Sequence, residues 1–251
     1  MRYSQEKIRP YNTALPKTAQ VEEMFNRIAP AYDKLNWILS WGLEKKWRKK
    51  TSEIVAQSNP RCILDIASGT GDLAIRMAGD IKPDLIIAAD ISEGMMRIGH
   101  EKAVKAGYKN IIRFQKEDCE ALSFSDNSFD AVTSAFGARN FEHLDDALKE
   151  MKRVLKENGR LAILELSYPD RFPAKQLFSI YARLVIPNAG KLVSKDNEAY
   201  KYLPKTMRAF PQGNAMKEII EKAGFFEVSF SPLTMGICTL YTARKKTSKK
   251  K

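Results

Sequence analysis

Acids and glycines stand where short apolar runs break off: Asp65, Gly69, Gly71, Asp90 and Asp118. The runs read CILD, LIIAAD and IIRFQKED, and the glycines follow the first as DIASGTGDLA. Two glycines let a backbone turn sharply and come close to a ligand. A helix starting behind them offers unpaired N–H groups. Nucleotide-like ligands bind at the carboxyl ends of such strands. The glycines alone leave the nucleotide open, because Gly69-x-Gly71-x-x-Ala74 followed by Asp90 also satisfies a dinucleotide fingerprint. Asp65 argues for another ligand. An acid there repels a pyrophosphate and attracts an ammonium. Asp118, at the tip of the third run, suits an adenine amino group. The set points to S-adenosylmethionine, against a reading of these acids as helix caps and turn residues.

Elements of alternating type must hold these residues. CILDIA, LIIAAD, IIRFQ, FDAVTSAF and RLAILELS read as strands, separated by helical stretches such as SEGMMRIGHEKAVKAG. Strand–helix alternation predicts a doubly wound, mostly parallel sheet of the Rossmann-like kind. EVSFSPL and GICTLYTAR add a closing hairpin, giving seven strands with an antiparallel C-terminal one. DDALKEMKRVLKENG reads as a helix stopped by Gly159. Upstream, Val21, Met24, Phe25 and Ile28 fall on one helical face, with Pro30 as the expected end. A second helix is expected from about Asp33, interrupted at Gly42. The predicted organisation is an irregular arm over 1–17, a single domain over 18–243 and a basic tail over 244–251. Within the domain, residues 18–58 form N-terminal helices and residues 170–211 an inserted helical cap.

The chain has 251 residues, of which 44% are hydrophobic and 29% charged. That suits a soluble globular protein that needs no staples. Three cysteines without a CxxC pair argue against a disulfide framework or zinc site and fit a reducing, cytoplasmic setting. Two histidines make a multi-histidine metal centre a poor reading, and no metal is expected. The net charge of +12 is concentrated in Lys45–Lys50 and Arg244–Lys251. The segment Trp41–Lys50 suits peripheral, reversible contact with an anionic inner leaflet; a solvated helix face is the plainer account.

Around these motifs the chain resembles class I methyltransferases, and more closely the ubiquinone/menaquinone biosynthesis C-methyltransferases. The matching stretches include MFNRIAPAYDKLN, ILDIASGTGDL, EALSFSDNSFDAVTSAFGARN and AYKYLPKTMRAFP. The resemblance implies methyl transfer from S-adenosylmethionine to a ring carbon of a prenylated quinol, demethylmenaquinol first. A prenylated benzoquinol or another small-molecule acceptor is the alternative. It implies cofactor contacts at Thr70, Asp90, Asp118 and Cys119, joining Asp65, Gly69 and Gly71. This chain has Ala135 where the family can have serine, with Ser134 one residue earlier, and a one-residue shift along a strand faces the other way.

A ring carbon beside a phenolic hydroxyl becomes nucleophilic as that hydroxyl loses its proton. The site therefore needs a group that stabilises a phenolate. Arg139 and Asn140, after the fourth strand, are the candidates, with a structural Arg139–acid pair as the competing account. Tyr32 is expected to cover the cofactor or substrate, and Tyr200, Tyr202 and Arg208 to wall the acceptor. His143 suits a general base by chemistry but stands at an expected helix start. Other readings are an RNA methyltransferase, a non-catalytic binding scaffold and a dinucleotide oxidoreductase. The local charge and the lack of an aromatic–basic module leave no nucleic-acid partner expected. Homo-oligomerisation stays open.

Overall fold

The structure is a computed structural model. It describes residues 3–193 and 197–247, with side chains for all of these except 186–193, 197 and 200. The strands are β1 (Cys62–Ile66), β2 (Leu85–Asp90), β3 (Ile112–Lys116), β4 (Phe129–Ala135), β5 (Leu155–Leu166), β6 (Phe225–Leu233) and β7 (Cys238–Lys245). They form one seven-stranded sheet in the order β3-β2-β1-β4-β5-β7-β6. β7 runs antiparallel to both neighbours, and the pairs among β1 to β5 are parallel.

Alternation along each strand splits the core into two layers. Leu64, Ile66, Val132, Leu161 and Ile163 face one side, where Leu148 of α5 (Leu144–Val154) and Ile220 of α8 (Asn214–Lys222) cover them. Ile63, Ile86, Ala131 and Leu164 face the other, against Val55 of α2 (Leu43–Ala56) and Met77 of α3 (Asp72–Ile81). Both faces are covered, so the central strands read as continuous apolar runs. α4 (Glu93–Lys105) starts at Ser92, whose side chain accepts the Met95 N–H as a cap.

Three expectations need correction. Pro30 does not end the first helix: α1 runs from Lys17 to Ser40 with Pro30 inside it. An interior proline costs a helix about 3 kcal/mol. Met24, Ile28, Ala29 and Leu35 bury a face that continues across it, and that packing prevails. The fifth helix ends at Val154 and not at Gly159, because Leu155 pairs with Phe129 and opens β5. The arm before α1, expected only to be irregular, is docked: Lys17 is fully buried and donates to the carbonyls of Gln5 and Phe141. Glu6 accepts the Leu144 N–H at the start of α5. Lastly, β7 continues to Lys245, whose ammonium donates to the Leu155 carbonyl, so the strand enters the stretch expected as tail.

The cap over 170–211 is built from α6 (Ala174–Val193) and α7 (Asn197–Ala209), which pack on each other. α1 packs on α4 and on α6. It thereby lies across the carboxyl ends of the strands, where the acids stand.

Candidate active site

The loops after β1, β2, β3 and β4 border an open cavity lined by Asp90, Asp118, Cys119, Ala67, Phe25 and Tyr32. A smaller cleft continues behind the glycine loop, past Asp65, Ser68, Thr70 and Arg48. Tyr32, Ala67, Gly69 and Ala135 border both. The β1 and β4 loops touch closely: a Cβ on Gly137 would stand 2.5 Å from the Ala67 Cβ. Glycine is required there by space.

Asp65 is buried at 1% exposure, and Thr133 Oγ1 donates to its Oδ1 at 2.7 Å. Its Oδ2 has no partner among the described residues. Burial raises its pKa to about 7, against the lowering effects of the Thr133 hydrogen bond and Arg48. Asp90 accepts the N–H groups of Gly69 at 2.7 Å and Ser92 at 2.8 Å. Burial raises its pKa as well, and these N–H groups oppose the shift. Each of its oxygens keeps a lone pair for a ligand hydroxyl. Asp118 is exposed at the cavity rim, beside Cys119. Burial drives the Cys119 thiol pKa well up, so it is a neutral wall.

Of two expected contacts, Thr70 borders the small cleft with its hydroxyl engaged by α1 and α4, and Gly71 lines neither cavity. The Thr70 hydroxyl donates to Asp33 on α1 at 2.6 Å and receives Lys102 at 3.1 Å. Lys102 also binds Asp33 and Asp72, so this network ties α1 to the glycine loop. Gly71 serves packing: its φ is +75°, and a Cβ there would meet Phe114 at 2.8 Å. Ala135, and not Ser134, faces the clefts.

A second, open cavity lies between α1, α2, α6, α7 and the β4 loop. Its walls are apolar, with Met24, Ile28, Leu39, Phe178, Met207 and Ile237 among them. It meets the first cavity at Phe25, Tyr32, Phe136 and Asn140. One end is polar. Arg139 is buried and donates to Glu165 Oε1 at 2.6 Å and to the Phe136 carbonyl. Glu165 also accepts the N–H groups of Arg139 and Leu166. Arg139 Nε, Asn140 Oδ1 and the Tyr202 hydroxyl have no partner among the described residues, though all are buried. Burial disfavours the Arg139 charge, but Glu165 and the nearby tyrosines outweigh that and raise its pKa. Burial raises Tyr202 and Tyr32 too, with Arg139 opposing in each case.

The predicted site residues therefore sort by place. Tyr32, Arg139, Asn140 and Tyr202 meet at this polar end. Arg139 has both the expected acid partner and an unspent donor. Arg208 is a correction: it is exposed, donates to the Tyr168 hydroxyl at 2.8 Å and stacks on that ring. On α7 it follows inward-facing Thr206 and Met207, and the helical turn carries it outward. The Tyr200 side chain lies outside the described ones. His143 precedes α5, bound to Glu120 at 2.7 Å.

Sequence reasoning missed Arg48 and Glu165. Arg48 borders the small cleft and the apolar cavity, and stacks over Phe136. The buried set Glu44, Trp47, Arg48, Thr51, Ser52 and Val55 follows a helical period within the basic run. That period was the available signal, masked by the polar types that carry it.

The sheet order, with acids at successive strand ends around one cleft, defines a methyltransferase-type α/β fold. A solved structure described as a putative methyltransferase from Bacillus halodurans shares it, at a TM-score of 0.57 and 20% identity, over 80% of this chain and 99% of that one. The chain belongs to the ubiE/COQ5 methyltransferase family, whose model matches residues 13–245. A demethylmenaquinone methyltransferase of Bacteroides fragilis is 56% identical over 98% of this chain and 100% of that protein. A ubiquinone/menaquinone biosynthesis C-methyltransferase, UbiE, of Pseudomonas entomophila is 37% identical over 91% of this chain and 90% of its own length.

Proposed function

We propose that the protein transfers a methyl group from S-adenosylmethionine to a ring carbon of a prenylated quinol, with demethylmenaquinol as the acceptor. One observation carries the reading: an apolar cavity, ending in unpartnered polar atoms of Arg139, Asn140 and Tyr202, meets the nucleotide-type cleft at Tyr32. The likeness to the Bacteroides fragilis enzyme supports the naphthoquinol head group.

The first cavity and its side cleft fit S-adenosylmethionine. Asp65 holds a buried, unpartnered carboxylate oxygen that an ammonium satisfies. Asp90 offers lone pairs to ribose hydroxyls, and Asp118 with Cys119 borders a flat base. When bound, this cofactor supplies an electrophilic methyl group. Everything else falls to the chain. Arg139 Nε–H donates to one quinol oxygen and favours its phenolate form, which raises electron density on the neighbouring ring carbon. Arg139 stays protonated and takes no proton itself, so the phenol proton and the ring-carbon proton released after methyl transfer pass to a water molecule. The raised pKa of Tyr202 keeps its hydroxyl a donor to the same head group. Asn140 Oδ1 accepts from the second hydroxyl. Glu165 is fully buried and its oxygens are engaged by Arg139 and Leu166, so it positions Arg139. The apolar walls hold the start of the prenyl chain and exclude bulk water, which strengthens these contacts. A substrate with such a tail resides in a bilayer, so the protein works at a membrane surface.

The test is transfer of labelled methyl to reduced demethylmenaquinone and to a reduced prenylated benzoquinone, with wild type and Arg139→Ala. The reading expects label in the naphthoquinol, lost in the variant while cofactor binding persists. Label in the benzoquinol alone would replace the head group, and label in neither would end the quinol reading.

A further inference from the structure

Most of the exposed large apolar side chains lie on neighbouring segments; Leu15 and Val104 stand elsewhere. Trp37 and Trp41 stand at the carboxyl end of α1, Phe172 just before α6, Leu177 and Ile180 on α6, and Met235 before β7. Trp41 is 82% exposed and Phe172 81%. Hydrogen bonds and packing join the segments that bear them. The Tyr181 hydroxyl of α6 donates to the Leu39 carbonyl of α1. Trp47 of α2 donates to Thr234, beside Met235. The Ser167 N–H donates to the Ile237 carbonyl, and Gly236 packs against Pro169.

Directly behind these residues is the apolar cavity. Leu39, Ser40, Phe178, Tyr181 and Ile237 line it from the inside, each within a few positions of an exposed residue. α6 is apolar on two sides: Phe178 and Ala182 are buried while Leu177 and Ile180 face out. A helix that only capped a soluble protein would be polar on its outer side. Contiguous exposed apolar surface marks an interaction site.

The charges beside the patch are mainly positive, with Asp170 and Glu53 as acids among them. Lys45, Lys46, Lys49 and Lys50 are exposed on α2, and Arg171, Lys175 and Arg183 flank or lie on α6. Glu53 answers Lys49 and Lys50. Among the described residues no ion pair engages Lys45, Lys46 or Lys175. A two-fold contact between copies of this face would set these cations against their own counterparts. An anionic surface with an apolar interior complements both features.

We propose that this face docks reversibly on an anionic lipid bilayer. Trp37, Trp41, Phe172, Leu177 and Ile180 enter its apolar boundary while Lys45, Lys46 and Lys175 meet headgroup phosphates. The cavity then opens toward the bilayer, and a prenyl chain enters it without crossing water. This deepens the quinol reading and rests on it for the identity of the chain that enters.

The experiment is co-flotation of the full-length protein with phosphatidylcholine–phosphatidylglycerol vesicles and with phosphatidylcholine vesicles alone. It compares wild type, Trp41→Glu/Ile180→Glu and Lys45→Gln/Lys46→Gln. Wild type is expected on the anionic vesicles only, released by salt. The lysine variant should bind about 25-fold more weakly, from the usual contribution of each basic residue near an anionic surface. The Trp41/Ile180 variant should not float. Both variants should methylate a short-chain, water-soluble quinol at the wild-type rate and lose activity on long-chain quinol in vesicles. Equal flotation of all three proteins overturns the proposal, as does no flotation of wild type. So does a sedimenting dimer that the Trp41/Ile180 variant dissociates. If wild type fails on the short-chain quinol, the acceptor reading fails by itself, and the vesicle arms still decide the docking.

Discussion

Replacing Asp65 by Asn should stabilise the free protein at pH 8 while weakening its hold on S-adenosylmethionine. Burial lifts the Asp65 carboxyl to about 7, whereas an unfolded aspartate titrates near about 3.9. Between those values the folded state binds the proton more tightly than the unfolded chain. Stability therefore falls as pH rises from about 4 to about 7, and is level above that. A difference of about 3 units corresponds to about 4 kcal/mol at 1.36 kcal/mol per unit. Relaxation around the carboxylate makes this an upper figure, and about 2 kcal/mol is expected. Asn carries no charge, and its carbonyl oxygen keeps the Thr133 hydrogen bond. For a chain of this size the gain appears as a Tm rise of about 4–8 °C at pH 8, shrinking toward zero near pH 4. Thermal unfolding by circular dichroism across that range measures it. Calorimetric titration should show cofactor affinity at least about 100-fold weaker, since an ammonium then lacks its buried counter-charge. A variant destabilised equally at every pH, or one that binds the cofactor as wild type does, would refute the reasoning.

Other perturbations follow from the same geometry. Glu165→Gln leaves the Arg139 charge buried without its partner, at a cost of about 3–5 kcal/mol. A lower Tm and a fall in kcat with unchanged cofactor affinity are expected, read by unfolding and steady-state kinetics. Tyr202→Phe removes a buried hydroxyl that has no partner. Stability should hold or rise by about 1 kcal/mol, while KM for the quinol rises several-fold; a lower Tm with unchanged KM would make the hydroxyl structural. Asp33→Ala cuts α1 from Thr70 and Lys102. Calorimetry should show weaker cofactor binding, with Lys102 still held by Asp72.

The strand-end acids were legible because a period of two, a charge and a glycine turn are all local signals. Asp65 and Asp90 accordingly stand where the sequence implies, and Asp118 stands at the rim. The course of α1 was not legible. Pro30 is a local stop signal, and the contacts that override it come from α4 and α6, far along the chain. The Thr70–Asp33 hydrogen bond was not legible either, because Asp33 is likewise remote. Arg48 was hidden by company: four neighbouring lysines are exposed while it turns inward with Trp47. Glu165 was hidden by its strand, since its pairing with Arg139 depends on how the β4 loop folds back over β5. Local chemistry thus identified the cleft, and tertiary packing built the acceptor cavity beside it.

The most direct test of the account is where the methyl group goes. Wild type is incubated with S-adenosylmethionine labelled with carbon-13 in the methyl group and with reduced demethylmenaquinone, and the product is read by carbon-13 NMR. The account predicts a single aryl-methyl signal on the naphthoquinol ring. A methoxy signal, or label recovered only in the cofactor, would contradict it.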